Sequence, residues 1–144
     1  MKRREFARAT LCAAGFTDPR PVALNVFTAW CYAESGESRN DGTNAAKYNP
    51  LNATLVTSGS HSIAFNSVGV GNYFTVGDGI AATSLMLRQG NMSGILQAFA
   101  TTGETADDVC RAIGNSPWGT GSALLLAVMV DYRKNPSFYD NLLI

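Results

Sequence analysis

The sequence predicts a mostly helical α+β domain, with helices set around a small β-lobe. Three observations predict it. Val22, Val26, Ala29, Trp30 and Ala33 fall on one face at helical spacing. Gly15, Gly36 and Gly90 stand just past helical stretches, where C-terminal stops belong. The segment from about residue 35 to residue 73 is polar and rich in Asn, Gly and Ser, and offers only short strand candidates.

Each element follows in chain order. Residues 2–14 suit a first helix, closed by Gly15. Asp18-Pro19-Arg20-Pro21 is a turn, and Pro21 fits the first position of a second helix over residues 21–34. Residues 35–47 are too polar for anything but loop. Residues 54–57 and 63–65 are strand candidates on either side of a hairpin tip at Ser58-Gly59-Ser60-His61, and Val68-Gly69-Val70-Gly71-Asn72-Tyr73 closes the lobe. Asp78 is placed to cap a third helix over residues 79–89, with Ile80, Ala81, Leu85, Met86 and Leu87 as its apolar side. A fourth helix covers residues 93–100. Thr105 and Asp108 match a capping box that opens a fifth, through Cys110 to Ile113. The last spans residues 121–134. No repeat or linker divides the chain, so residues 1–144 form one domain.

Composition narrows the function classes. Apolar residues make up 46% of the chain and charged residues 15%, with eleven of each sign and no net charge. That balance gives no pull toward nucleic acid or an anionic membrane. The one basic cluster, Lys2-Arg3-Arg4, is diluted by Glu5 and reads as a solvated first helical turn. The longest apolar run, residues 123–130, is too short to span a bilayer. Glu5 and Arg8 interrupt what would be the hydrophobic part of a signal peptide, so synthesis in a host cytoplasm without one is expected. Cys12, Cys31 and Cys110 make an odd count without CxxC spacing and are expected to be buried thiols. A single histidine excludes His-rich metal sites, and no metal or cofactor is expected.

Glu34 is the leading chemical candidate. It sits at the last turn of an apolar helix, beside the polar loop that follows Gly36. Packing on one side and the negative end of the helix both disfavour a charged carboxyl there. Those are the conditions under which a general acid keeps its proton at working pH. Cys31 with His61 offers a nucleophile–base pair instead, but Cys31 lies toward the C-terminal end of its helix, where a thiolate is not favoured.

The ordered set Ala33-Glu34-Ser35-Gly36, Tyr48-Asn49-Pro50-Leu51-Asn52-Ala53-Thr54, Phe65-Asn66-Ser67-Val68-Gly69-Val70-Gly71-Asn72-Tyr73, Gly79-Ile80-Ala81-Ala82-Thr83 and Ser116-Pro117-Trp118-Gly119-Thr120 resembles the lysozyme-like superfamily. The likeness is greatest to domains from phages of actinobacteria and from their hosts. Glu-Ser-Gly looks like the catalytic helix end of lytic transglycosylases, and the Asn-Pro-Leu-Asn and Val-Gly-Val-Gly-Asn-Tyr stretches look like the cleft-lining segments of bacterial glucosaminidases. The resemblance implies a lysozyme-like fold and cleavage of the peptidoglycan glycan strand, with Glu34 as general acid and Asn49, Asn52, Asn72 and Tyr73 as cleft walls. Asn49 and Asn52 can equally serve their own turn, and Tyr73 can equally be core. Trp118 reads as packing rather than substrate contact.

Glycosidases normally use two carboxylates roughly 5 to 9.5 Å apart. Between Thr43 and Gly77 there is no Asp or Glu. Glu37 and Asp41 are the possible second acids, and Asp78 is most simply a helix cap. The gap fits a one-carboxylate mechanism, as in lytic transglycosylases. An enzyme acting at the bacterial cell wall, free or virion-associated, is therefore the first expectation. The alternative is a phage virion or tail-tip module that keeps the fold for wall binding or assembly without catalysis, since fold alone does not settle activity.

Overall fold

The computed structural model describes residues 1–37, 46–55 and 62–144. It is mostly helical. In order come α1 (Arg3–Ala13), α2 (Pro21–Ser35), β1 (Ser62–Ala64), β2 (Gly71–Tyr73), α3 (Val76–Leu87), a 3-10 turn at Gly90–Met92, α4 (Ser93–Ala100), α5 (Ala106–Gly114), α6 (Ser122–Lys134) and α7 (Pro136–Asn141).

α2 is the centre of the molecule. It packs against α1, α4, α5, α6 and α7. One apolar face was expected, but Ala23, Leu24, Val26, Phe27, Thr28, Ala29, Trp30 and Cys31 are all buried. A helix apolar around its whole circumference needs neighbours on every side. Thr28 is the polar intruder, and its hydroxyl donates to the Leu24 carbonyl at 2.8 Å. Phe27 is the hub, with ring centroids 6.5 Å from Phe6, 5.9 Å from Trp30 and 6.2 Å from Phe99. Burying an aromatic ring of this size contributes about 2–3 kcal/mol. The helix starts with Pro21 at N1 and ends at Gly36, whose φ of 62° only glycine adopts without strain.

The basic cluster does not form a solvated turn. Arg3 is fully buried, its guanidinium 5.9 Å from the Tyr32 ring centroid. Arg4 Nη1 donates to Asn25 Oδ1 at 2.9 Å and to the Tyr132 hydroxyl at 3.0 Å, and lies 3.4 Å from Asp140 Oδ1. The reason is α7, a short helix beyond the last one expected. It brings Asp140 and Tyr139 over the start of α1, and Lys2 bridges Leu143. Tyr132, between Arg4 and Asp140, has its phenol pushed up by burial and by the carboxylate it donates to at 2.8 Å.

Among the described residues the β-lobe is one two-stranded ladder, which joins the second expected strand to the segment expected to close the lobe. β1 pairs antiparallel with β2 in the register Ser62↔Tyr73, Ile63↔Asn72 and Ala64↔Gly71. The tip is at residues 65–70. There Phe65 N–H donates to the Val70 carbonyl at 2.7 Å, and Asn66 Oδ1 accepts from the Val68 and Val70 amides. Asn66 opening the turn and a left-handed Gly69 closing it account for this tip. Residues 58–61 lie outside the described residues, as do 56–57, while Thr54 and Leu55 are not strand.

Residues 46–55 are stitched to β2. Gly71 N–H donates to the Ala53 carbonyl at 3.1 Å and Tyr73 N–H to the Lys47 carbonyl at 3.1 Å. The turn is bent hard at two places, with positive φ at Tyr48 (55°) and Asn52 (56°). Left-handed backbone at a non-glycine residue costs about 1–2 kcal/mol. α3 pins this turn from outside. A Cβ at Gly79 would fall well inside contact distance of the Tyr48 carbonyl oxygen.

α3 starts earlier than expected. Thr75 is the N-cap, and Asp78 is the third helical residue that returns the bond, Thr75 N–H to Asp78 Oδ2 at 3.1 Å and Asp78 N–H to Thr75 Oγ1 at 3.1 Å. Thr105 and Asp108 repeat the arrangement at α5, as expected, and the Thr105 bonds hold the Asp108 carboxyl below its ordinary range. The buried side of α3 is Gly79, Ala82, Thr83, Ser84 and Leu87; of the apolar side expected, Leu87 is buried and Ile80 and Met86 pack partly buried against the core, while Ala81 and Leu85 are exposed. Gly79 lets the helix sit close against the turn at Tyr48, and α3 also packs on α1.

Candidate functional site

Glu34 projects from the last turn of α2 and is half-buried. Two elements far apart in sequence meet its carboxyl. From the turn before the β-lobe, Asn52 Nδ2 donates to Glu34 Oε2 at 3.0 Å and to the Glu34 carbonyl at 3.2 Å. From the connection between α5 and α6, the Thr120 hydroxyl donates to Glu34 Oε1. The left-handed backbone at Asn52, a conformation Asn tolerates better than most residues, aims the amide there.

Thr120 is itself held. The fully buried Trp30 donates its indole N–H to Thr120 Oγ1 at 2.6 Å. An indole N–H can only donate, and a hydroxyl carries one hydrogen. Once Thr120 Oγ1 accepts from Trp30, its single hydrogen is directed at Glu34. Trp118, two residues earlier, donates its indole N–H to the Leu51 carbonyl at 3.1 Å and meets Trp30 edge-on at 4.8 Å between ring centroids. Packing is the role that was expected of it. Both described partners of the carboxyl are neutral, and none of the ion pairs among the described residues involves Glu34.

The other expected site residues divide. Asn52 reaches Glu34. Asn49 does not line a cleft wall. It is buried, with Nδ2 donating to the Ala53 and Gly71 carbonyls at 2.8 Å each and Oδ1 accepting from Ala53 N–H at 2.7 Å. All its polar capacity closes the turn on β2. Tyr73 is also core, its hydroxyl donating to the Leu55 carbonyl at 2.6 Å, and burial pushes the phenol up to about 12. Asn72 is half-buried and accepts from Lys47 N–H at 2.6 Å. Of the possible second acids, Glu37 is exposed beyond Gly36, and Asp41 lies outside the described residues. Asp78 is occupied with Thr75. Among the described residues no second carboxylate shares a hydrogen-bond partner with Glu34.

Thr120 and Trp30 were not among the candidate site residues. In the sequence Thr120 is a small polar residue of the Ser116–Thr120 stretch, and Trp30 falls on the apolar face of its helix. The readable signal was the indole nitrogen, since a buried tryptophan requires an acceptor.

The cysteines do not build a nucleophilic site. Cys31 is fully buried, and burial pushes its thiol up to about 12; Cys110 is buried with the same cause and a similar value. His61 lies outside the described residues. Cys12 is exposed on α1, contrary to the expectation of three buried thiols, because the buried residues of that helix are Arg3, Phe6, Ala7, Thr10 and Leu11 and leave it outside. Alkylation of the folded protein at mildly alkaline pH should therefore modify Cys12 alone, and denaturant should expose all three. Peptide mass mapping checks this, and rapid labelling of Cys31 in the folded state would contradict its burial.

No described helix is long and apolar enough to cross a membrane. No family model, curated protein or solved structure matches the chain.

Proposed function

We propose that this domain has a lysozyme-like fold and cleaves the glycan strand of peptidoglycan, as a phage-encoded lytic enzyme with Glu34 as its general acid. One observation carries the reading. A carboxyl at the end of the central helix is fixed by two neutral donors, and among the described residues it makes no ion pair and shares no hydrogen-bond partner with a second carboxylate. An ion pair would hold a structural Glu to a fixed cation; here two neutral donors set the position of both oxygens instead.

A single carboxyl suits transglycosylation. Glu34 gives its proton to the bridging oxygen as the bond between N-acetylmuramic acid and N-acetylglucosamine breaks. The same carboxylate then takes the proton of the substrate's own primary hydroxyl as that oxygen closes on the anomeric carbon. Asn52, and Asn72 farther along the lobe, supply amides suited to hydroxyls and N-acetyl groups.

Purified wall material digested with the protein should yield anhydro-muropeptides, lighter by one water than reducing-end products. Mass spectrometry separates the two. Reducing-end products would replace transglycosylation with hydrolysis as a muramidase or glucosaminidase, either with Glu37 or Asp41 as a second acid or with water oriented by Asn or Thr side chains.

The burial of Asn49 and Tyr73 favours a second reading. Two of the four expected cleft residues serve the fold instead. A virion or tail-tip module that binds the wall without cutting it would sediment with wall material and release nothing.

A further inference from the structure

We propose that the Trp118-Gly119-Thr120 turn is the positioning element of the Glu34 carboxyl, acting on both of its oxygens. This rests on the reading of Glu34 as the reacting acid.

Gly119 has a φ of 99°, a conformation that L side chains rarely adopt. That bend sends its two neighbours to different destinations. Thr120 goes to the end of α2, between the Trp30 indole and Glu34 Oε1. Trp118 goes to the Leu51 carbonyl, one residue from Asn52, whose amide holds Glu34 Oε2. One turn thus sets one oxygen directly and the other through the backbone of the Asn52 turn. The two arms are braced against each other where the Trp118 and Trp30 rings meet at 69°. Upstream the turn is anchored on α5, with Ser116 Oγ donating to the Ile113 carbonyl at 2.6 Å and accepting from Trp118 N–H at 3.3 Å.

The chemistry of Thr120 is specific. A hydroxyl is required because it must accept from Trp30 and donate to Glu34 at once. Serine preserves this, whereas valine preserves the volume and loses both bonds. A misplaced reacting group costs rate rather than binding, so the effect belongs in kcat.

Two measurements test the proposal. In wall cleavage, T120V should lower kcat by about tenfold or more with KM within about twofold, and T120S should restore most of it. W118F, which removes the Leu51 bond and keeps the ring, should lower kcat in the same way. The second measurement needs no activity. In ¹H–¹⁵N spectra of the indole groups, E34A should move the Trp30 resonance in the wild-type and T120S backgrounds and leave it in place in T120V. If the wild type cuts nothing, the enzymatic reading fails and the spectra still decide the positioning claim. If T120V does not fold, W118F and the wild-type and T120S spectra carry the test. Wild-type kcat in both T120V and W118F would overturn the proposal. So would a Trp30 resonance indifferent to E34A while Thr120 is intact, or one equally sensitive without its hydroxyl.

Discussion

Glu34→Gln should remove nearly all wall cleavage and leave the fold in place. A positioned general acid contributes about 10²- to 10⁴-fold, so a loss of at least about 10²-fold is expected in a turbidity assay on purified wall. The amide matches the carboxyl in shape, and its oxygen still accepts from Thr120. The other end of the side chain then presents an N–H₂ to the Asn52 N–H₂, two donors facing each other. Losing that one bond costs about 1 kcal/mol, visible as a small drop in melting temperature beside a very large drop in rate. Near wild-type cleavage by the folded variant would remove Glu34 from the chemistry.

Two glycines, two residues apart in α3, should respond in opposite directions. Alanine at Gly79 would drive its Cβ into the Tyr48 carbonyl, which is backbone and belongs to a turn already bent to positive φ at both Tyr48 and Asn52. Overpacking against a tight backbone contact costs about 3 kcal/mol, or roughly 10 °C in melting temperature for a domain of this size. If the turn yields instead, Asn52 leaves Glu34, so the rate per folded molecule should fall as well. Alanine at Gly77 meets only Thr75 Oγ1 at 3.6 Å, an ordinary contact. There the lower entropy of the unfolded chain should dominate and raise stability by about 0.5–1 kcal/mol. Calorimetry on the two variants checks the pair. Equal melting temperatures would mean that α3 does not pin the lobe.

The parts of this architecture that the sequence made legible are those with local causes. Helix boundaries at Pro21, Gly36 and Gly15, and the Thr105 capping box, follow from dihedral limits and orphan amides within a few residues. The position of Glu34 at the end of α2 and the polar turn at Asn52 were readable for the same reason. What was not legible depended on partners far away. Arg3 and Arg4 look like a solvated turn until α7 covers them. The Thr75–Asp78 box was missed because Asp78 alone resembles a cap, although a Thr three residues earlier carries the signal. Asn49 could serve turn or cleft from sequence alone, and only the approach of the Gly71 carbonyl decides it. Thr120 was unreadable as a site residue because both its partners are more than eighty positions away.

That separation has a consequence for how the domain comes into being. The contacts that orient Glu34 join it to residues 18 and 86 positions along the chain. Closing such loops costs chain entropy before any contact returns it, so long-range pairings are late events in folding. α2 can form early from its own residues, but a chain that has made α2 and the β-lobe still lacks the Thr120 hydrogen bond. Only when the connection between α5 and α6 docks is the carboxyl locked in place. The geometry around Glu34 is therefore inseparable from the finished fold, and a partly folded chain carries the glutamate without it.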